Sequence, residues 1–237
     1  MTETRTEPFL RITEIFHSIQ GESTWAGLPC TFVRLTGCPL RCTWCDTEYA
    51  FHGGTRQTFS EILAAVRAFP TQLVEITGGE PLAHPGAFAL AEKLLSEDYT
   101  VLVETSGAFD ISALPPEVHV IMDLKCPGSG ECERNLWPNL EHLDERDEIK
   151  FVVADRADYE WGRDVIRERG LDTRVREGSL RALLISPVWS TLDGEPTPQG
   201  GSRFLESLAN WILEDGIPVR MQLQMHKAIW GPDVAGV

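Results

Sequence analysis

The stretch Thr36–Tyr49, TGCPLRCTWCDTEY, decides how the rest of the chain is interpreted. It holds three of the six cysteines, Cys38, Cys42 and Cys45, in the spacing C-x3-C-x2-C. Thiols this close in sequence can converge on one inorganic centre. A closed structural zinc site and a simple electron-transfer iron–sulfur cluster each take four protein ligands. Three ligands therefore leave one metal position open for a group that is not protein.

Length and composition limit the classes of protein to consider. At 237 residues the chain is long for one ordinary domain and short for two, and it can bury a core without disulfides. The N-terminus, MTETRTEPFL, lacks the basic and apolar regions of a secretion signal, and no apolar run approaches the roughly 20 residues of a membrane span. We therefore expect a cytoplasmic protein with no membrane partner and with reduced, metal-binding thiols. The net charge of −15 argues against a nucleic-acid partner.

Short β-branched runs alternate with helical patterns along the whole chain. They predict strands at 9–16, 31–35, 73–77, 101–103, 118–124, 148–154, 181–185 and 218–223. They predict helices at 61–69 (capped by Ser60), 85–97, 158–170 and 201–215, and a loop at 51–57. This alternation indicates an α/β fold with a parallel sheet. Because there are too few convincing helices for a closed eightfold barrel, we expect a partial or modified (β/α) barrel, a single domain spanning residues 1–237.

Polar or glycine-rich motifs follow several predicted strands, so in a parallel sheet they should gather on one rim. They are Gly78-Gly79-Glu80, Glu104-Thr105-Ser106-Gly107, Asp123-Leu124-Lys125 and Ser186-Pro187-Val188. The paired glycines can bring backbone N–H groups close to a ligand, and Glu80 can accept a hydrogen bond from an ammonium group. Each motif alone also fits an ordinary turn or a solvated charge, so its interpretation depends on the cysteine stretch.

The cysteine spacing followed by Gly78-Gly79-Glu80 resembles the radical S-adenosylmethionine (SAM) superfamily. The resemblance implies a 4Fe–4S cluster held by Cys38, Cys42 and Cys45, one iron each, with SAM chelating the fourth iron. It also implies a partial barrel. The resemblance assigns SAM contacts to Trp44, Cys45, Asp46, Gly78, Gly79, Glu80, Ser106, Gly107, Asp123, Leu124, Lys125 and Ser186.

A narrower resemblance extends in order over nearly the whole chain. The segments 18–22, 32–35, 37–47, 78–81, 104–107 and 226–227 are similar to the 7-carboxy-7-deazaguanine synthase family. This resemblance implies a carbon–nitrogen lyase of queuosine-type 7-deazapurine biosynthesis. The substrate would be 6-carboxy-5,6,7,8-tetrahydropterin, contracted by radical chemistry to 7-carboxy-7-deazaguanine with loss of ammonia and regeneration of SAM. It further implies a homodimer and an electron donor such as flavodoxin or ferredoxin.

The residue chemistry suits such a substrate. A carboxylate on a planar heterocycle calls for a guanidinium fork, which Arg34 can supply bidentately. The mixed donors and acceptors of an amino-pyrimidinone edge can be matched by Gln20 and Glu22. The resemblance makes Thr47 the ligand of a Mg²⁺ ion that the substrate carboxylate also binds. It completes the substrate site with Ile19, Gly21, Thr105 and His226.

Several alternatives stay open at this stage. A glycyl-radical-enzyme activase can use the same cysteine spacing, and a zinc-binding interaction module could recruit His52 as its fourth ligand. Many family members carry Ser-Pro-Lys in place of Asp123-Leu124-Lys125. The role of SAM contact therefore carries over to Lys125, which matches the family motif, better than to Asp123 and Leu124. The chain also continues well past His226-Lys227. Inert or redox-sensitive thiols are favoured over a metal role for Cys30, Cys126 and Cys132.

Overall fold

The structure, a computed structural model, describes residues 7–193 and 202–237. Within these ranges the chain builds one sheet of nine strands in the order β3-β1-β2-β4-β5-β6-β7-β8-β9. The strands are β1 (Phe9–Ile19), β2 (Pro29–Leu35), β3 (Thr55–Thr58), β4 (Leu73–Gly78), β5 (Thr100–Thr105), β6 (His119–Asp123), β7 (Glu148–Val153), β8 (Ala182–Pro187) and β9 (Val219–Met221). From β2 to β9 every neighbouring pair is parallel. The predicted α/β fold, a partial or modified (β/α) barrel with a parallel sheet, is confirmed: the sheet is mostly parallel and open.

One edge of the sheet differs from the prediction, because β1 runs antiparallel to both β2 and β3. The short segment Thr55–Thr58 was expected to be part of a loop. Its sequence, TRQT, has no apolar alternation, and it becomes a strand only by pairing with Phe9–Ile12. Such pairing depends on residues distant in sequence, so the local sequence does not predict the strand.

Six α-helices are present in the described ranges. They are α1 (Phe59–Arg67), α2 (Gly86–Leu95), α3 (Arg156–Glu168), α4 (Leu171–Glu177), α5 (Arg203–Asp215) and α6 (Met225–Trp230). Four match predicted helices, although Gly201 lies outside the described residues. Thr58 rather than Ser60 caps α1, because its hydroxyl accepts from the Glu61 N–H at 3.3 Å while the Glu61 carboxylate accepts from the Thr58 N–H at 2.7 Å.

The two faces of the sheet carry different side chains, because neighbouring residues of a strand point in opposite directions. On one face apolar residues such as Val33, Val103 and Phe151 pack with the helices into the main core. The other face, here called the cavity face, carries the polar side chains Arg34, Glu75, Glu104, Asp123 and Lys150. A smaller apolar cluster, Cys30, Phe32, Leu73, Leu102 and Ile121, includes residues near the amino ends of the parallel strands.

No helix in the described part of the chain is both long enough and apolar enough to cross a membrane.

Candidate active site

The cavity face opens into a cavity of about 680 Å³, a volume within the range of small-molecule sites. It is bordered by the loops after β2, β4, β5 and β6 and by the C-terminal segment. Most predicted site residues line it: Ile19, Gln20, Gly21, Glu22, Arg34, Cys38, Cys42, Trp44, Cys45, Asp46, Thr47, Gly78, Gly79, Thr105, Ser106, Asp123, Lys125 and His226. The loops that follow the parallel strands therefore do share one rim.

The cysteine loop is held by backbone contacts with its neighbours. The Glu80 N–H donates to the Gly37 carbonyl at 2.9 Å, and the Thr43 N–H donates to the Ser129 carbonyl at 2.9 Å. A Cβ added at Gly79 would lie 2.5 Å from the Gly37 carbonyl oxygen. The paired glycines thus let the loop after β4 lie directly against the loop after β2.

The three thiols of Cys38, Cys42 and Cys45 are partly buried and line the same cavity. Burial raises the pKa of all three, that of Cys42 to about 11, and the Lys125 ammonium group opposes this rise. In the ranges that the structure covers, no three Cys, His, Asp or Glu side chains lie close enough to share one metal ion. Three thiols around one cavity fit a polynuclear cluster, in which each thiolate binds a separate iron. Metal coordination deprotonates a thiol outright.

Glu80, a predicted SAM contact, lies outside the cavity lining. Its carboxylate is fully buried. It accepts from the Leu82 N–H at 2.9 Å, from the Thr105 hydroxyl at 2.8 Å, and from the N–H and hydroxyl of Ser106 at 2.7 and 2.5 Å. Four donors saturate a carboxylate, so none of its lone pairs faces an ammonium group. Glu80 instead ties the loop after β4 to the loop after β5.

Three further predicted SAM contacts lie outside the cavity lining. Leu124 is buried in the main core, because it continues the apolar side of β6. Gly107 adopts a φ of +70° and packs against the Met122 side chain. It therefore affects the course of the loop after β5 without lining the cavity. Ser186 is 2% exposed, and its hydroxyl has no hydrogen-bond partner among the described residues.

Asp123 and Lys125 do reach the cavity, at the carboxyl end of β6. The Lys125 ammonium donates to one Asp123 oxygen at 2.7 Å, while the other Asp123 oxygen is buried without a partner in residues 7–193 and 202–237. Burial disfavours the charged lysine, but Asp123 and the Cys42 thiol outweigh it and raise the pKa of Lys125. An unpartnered carboxylate oxygen beside an ammonium group can accept from a ligand hydroxyl.

The Gln20–Glu22 segment reaches the cavity from a different side than the loops after the parallel strands. Because β1 is antiparallel to β2, its last residues lie beside Pro29, at the start of β2. The segment reaches the cavity from that end and is fixed by side chains of the sheet. The Gln20 amide donates to the Glu75 carboxylate, and its carbonyl oxygen accepts from the Glu22 N–H at 2.6 Å.

A network of charges surrounds this segment. The Lys150 ammonium donates to Glu22 at 2.7 Å and also to Glu104. The Gln224 amide donates to the other Glu22 oxygen at 2.9 Å. Burial opposes ionisation of Glu22, yet Lys150 and Gln224 lower its pKa to about 2. Glu75, Glu104, Lys150 and Gln224 were not predicted, although a charged residue inside an apolar strand, as in LVEIT, VLVET and EIKFVV, is the signal that could have found three of them.

Arg34 is oriented by its neighbour across the antiparallel strand pair. Its Nε donates to Glu14 at 2.7 Å, and the Tyr49 hydroxyl donates to the same oxygen at 2.8 Å. The guanidinium group also lies over the rings of Phe16 and Tyr49, at 5.7 and 5.9 Å from their centroids. Its two terminal nitrogens make no hydrogen bond to the described residues, which leaves the fork free for a carboxylate.

The helix α6 joins the two ends of the cavity. Lys227 pairs with Asp46 in the cysteine loop, and Thr47 donates to Asp46 at 2.9 Å. At the other end the His226 ring packs on Gly21, where an added Cβ would lie 2.4 Å from Nδ1. Burial lowers the pKa of His226, although Glu22 opposes this, so a neutral imidazole is favoured at pH 7. Residues 232–237 beyond α6 also line the cavity.

The remaining cysteines lie outside the cavity lining. Cys30 is fully buried in the smaller apolar cluster, Cys126 is buried in the main core, and Cys132 is half-buried. Burial raises the pKa of each thiol, which disfavours the reactive thiolate. These environments agree with inert thiols.

An open, mostly parallel sheet with a three-cysteine loop after β2 defines the class, and the chain is a member of the radical SAM superfamily. The superfamily's sequence model matches residues 32–123. The crystal structure of QueE from Escherichia coli has a similar fold, with a TM-score of 0.67 and 23% identity over 92% of this chain and 95% of that chain.

Two curated relatives match almost end to end, and both are named 7-carboxy-7-deazaguanine synthase. The protein from Koribacter versatilis is 45% identical over 232 residues, which cover 96% of this chain and 100% of that protein. The protein from Chlorobaculum tepidum is 44% identical over 235 residues, which cover 98% of this chain and 99% of that protein. The chain belongs to the 7-carboxy-7-deazaguanine synthase family.

Proposed function

We propose that the chain is a 7-carboxy-7-deazaguanine synthase, a radical SAM carbon–nitrogen lyase. It converts 6-carboxy-5,6,7,8-tetrahydropterin into 7-carboxy-7-deazaguanine with loss of ammonia. The observation that carries this proposal is one cavity that contains both the three-cysteine loop and the Arg34 guanidinium group with its terminal nitrogens free. The end-to-end similarity to the named synthases supports it.

Cys38, Cys42 and Cys45 would hold the 4Fe–4S cluster, and the rim formed by the loops after β4, β5 and β6 would hold SAM. When bound, these groups supply the radical that activates the substrate. The chain contributes placement. Gly78 and Gly79 let the loop after β4 lie directly against the end of β2 and the cysteine loop, and the unpartnered Asp123 oxygen accepts from a ribose hydroxyl.

Other residues of the cavity position the pterin. Arg34 binds the carboxylate with both terminal nitrogens, because Glu14 already occupies its Nε. The neutral His226 ring, packed on Gly21, can hold or accept a proton beside the Gln20–Glu22 segment. The tail at 232–237 contributes to excluding water from the cavity.

The finer assignments complete this proposal. The family resemblance implies a Mg²⁺ ion bound by Thr47 and the substrate carboxylate, reduction by flavodoxin or ferredoxin, and a homodimer. The sequence itself favours a cytoplasmic location and a single domain spanning 1–237. The Thr47 hydroxyl lines the cavity next to Asp46, an arrangement of oxygen atoms that suits a hard cation.

The test is anaerobic reconstitution with iron and sulfide, reduction, and incubation with SAM and the carboxytetrahydropterin. We expect the deazaguanine product by mass spectrometry. Cleavage of SAM without this product would refute the synthase assignment and favour another radical SAM enzyme, such as a glycyl-radical-enzyme activase. A colourless protein that retains only zinc would refute the radical assignment.

A matched pair of variants then tests the role of Arg34. Arg34→Lys keeps the charge but loses the fork, so we expect KM for the pterin to rise by about 10- to 100-fold. Arg11→Lys is the control, because Arg11 lies on the neighbouring strand and donates to the Gly53 carbonyl, away from the cavity. Equal effects of the two substitutions would contradict a carboxylate site at Arg34.

A further inference from the structure

Three charged side chains interrupt otherwise apolar strands on the cavity face: Glu75 in β4, Glu104 in β5 and Lys150 in β7. Apolar residues at such positions usually give equal or greater stability, because a buried ion pair must overcome the loss of hydration. The assignments made above to cluster, SAM and substrate use none of the three. We therefore infer that these three charged side chains have a role in ligand binding.

Lys150 is the centre of this group, and its side chain is almost completely buried. Its side chain is 5% exposed, and its ammonium group donates to both Glu22 and Glu104. Burial alone would lower the pKa of Lys150, but the two carboxylates raise it well above its ordinary value. The single positive charge of Lys150 is thus shared by the Glu22 and Glu104 carboxylates. The part of the cavity around these three residues therefore has a net negative charge.

Glu75 lies on β4, next to the strand that carries Glu104, and is 1% exposed. It accepts from the Gln20 amide. Burial, followed by the neighbouring Glu104 carboxylate, raises the pKa of Glu75 well above its ordinary value. A neutral Glu75 can donate a hydrogen bond to the neighbouring Glu104 carboxylate.

Glu104 is the member of the group that faces the ligand. Its side chain is 25% exposed into the cavity, compared with 13% for Glu22, whose two oxygens are occupied by Lys150 and Gln224. A carboxylate has about four acceptor positions, and bonds from Lys150 and Glu75 use two of them. The remaining positions of Glu104 can accept from a ligand that carries two adjacent N–H donors.

The spacing between Glu104 and Arg34 fits such a ligand. Arg34 lies on β2 and Glu104 on β5, with only β4 between them. Two strand spacings amount to about 10 Å, the scale of a two-ring heterocycle with a carboxylate at one end. The cavity therefore offers a positive group for that carboxylate and a negative group for the opposite end.

We propose that Glu104 determines specificity by accepting hydrogen bonds from the exocyclic amino group and the adjacent ring N–H of the substrate's amino-pyrimidinone edge. This inference rests on the proposed function, since it deepens the recognition of the same substrate. Neutral Glu75 and charged Lys150 are positioning residues that fix the Glu104 carboxylate. Gln20 and Glu22, whose polar atoms are already bonded within the protein, support this end of the site.

The test compares two ligands that differ in one amino group: 7-carboxy-7-deazaguanine and its analogue with hydrogen in place of the exocyclic amine. Binding to the reconstituted protein with SAM is measured anaerobically by titration calorimetry. Wild type should prefer the amino compound by about 10- to 100-fold, as expected for a hydrogen bond to a charged group. Glu104→Gln should reduce this preference to less than about 5-fold, by weakening binding of the amino compound only.

Two more variants keep the result interpretable. Glu97→Gln is the matched control, because Glu97 follows α2 and pairs with Arg67 and Lys93 away from the cavity, and it should keep the full preference. If Glu104→Gln does not fold, Glu104→Asp keeps the charge near Lys150 but withdraws the oxygens by one methylene. It should still lower the preference several-fold.

The possible outcomes separate this inference from the function it rests on. An unchanged preference in the folded Glu104 variants, or an equal loss of affinity for both ligands, would overturn the role of Glu104 and leave the synthase assignment intact. Failure of wild type to bind either ligand would overturn both. Loss of the preference in the Glu104 variants alone would support the inference.

Discussion

The two ends of the cavity are built differently. At the substrate end, Gln20 and Glu22 are bonded to buried side chains of the sheet before any ligand arrives. At the cluster end, the cysteine thiols carry no comparable network, and the neighbouring Asp46 side chain is 43% exposed. An end that must distinguish one heterocycle from another gains from being fixed in advance. An end that receives a metal cluster needs its ligands free.

The largest effect should come from the cluster end. Cys42→Ser removes a thiolate ligand, so we expect loss of most of the bound iron and a fall in product formation of more than about 10³-fold, because the cofactors supply the chemistry. Iron content, visible absorption and product yield measure the effect. Cys132→Ser is the control, since Cys132 is half-buried but lies outside the cavity lining. Equal iron loss in both variants would contradict the three-cysteine site.

The next largest effect tests whether the substrate end is fixed by its charges. Lys150→Met leaves Glu22 and Glu104 without their shared partner, and removing one member of a buried ion pair costs about 3–5 kcal/mol of unfolding free energy. Denaturant unfolding under anaerobic conditions measures it. Lys93→Met on α2 is the control, because Lys93 is 48% exposed and its pair with Glu97 should contribute less than about 1 kcal/mol. A similar small loss in both variants would mean that the network does not hold this end.

A pH series tests the protonation of Glu75. In the unfolded chain this carboxyl ionises above its ordinary pKa of 4.5, whereas its raised pKa in the folded chain keeps it protonated. The folded state therefore binds more protons, and wild-type stability is lost as pH rises above 4.5. Glu75→Gln cannot ionise and keeps the same hydrogen-bond pattern. Its gain over wild type should grow from pH 5 to pH 8, by at most about 1.4 kcal/mol for each pH unit.

The matched control for this series is Glu97→Gln, whose carboxyl has a lowered pKa because Arg67 and Lys93 donate to it. It should show no gain that grows with pH. Parallel stability curves for Glu75→Gln and wild type would mean that Glu75 is ionised in the folded protein, contrary to the charge assignment at the substrate end.

The smallest effect concerns the boundary between the two ends. Thr47→Ala should raise the Mg²⁺ concentration for half-maximal activity by about 3- to 10-fold and leave the visible absorption of the cluster unchanged. Thr43→Ala removes a hydroxyl from the same loop, where it donates to the Ser129 carbonyl at 3.2 Å outside the cavity lining, and serves as the control. An unaltered magnesium dependence in Thr47→Ala would contradict the assignment of Thr47 as a Mg²⁺ ligand.

The sequence predicted the parts of the molecule that depend on local pattern. The cysteine loop, the parallel strands from β2 onward and the approach of the Gly78-Gly79 loop follow from spacing, β-branched runs and glycine pairs. The antiparallel edge did not follow, because β3 is a strand only through its pairing with β1. The contacts of Glu80 did not follow for a related reason: a carboxylate in a loop can face the cavity or the protein, and the sequence does not show its bonds to Thr105 and Ser106.

The bridging role of α6 bears on the order in which the molecule assembles. Gln224 contacts Glu22 across 202 residues of sequence, and Lys227 contacts Asp46 across 181. Contacts between such distant residues carry a large loop-closure cost and form late in folding. We therefore expect the cysteine loop to stay open to cluster insertion until α6 docks. Pulse-labelled hydrogen exchange should show backbone amides of β2 protected before those of α6, and simultaneous protection would contradict this order.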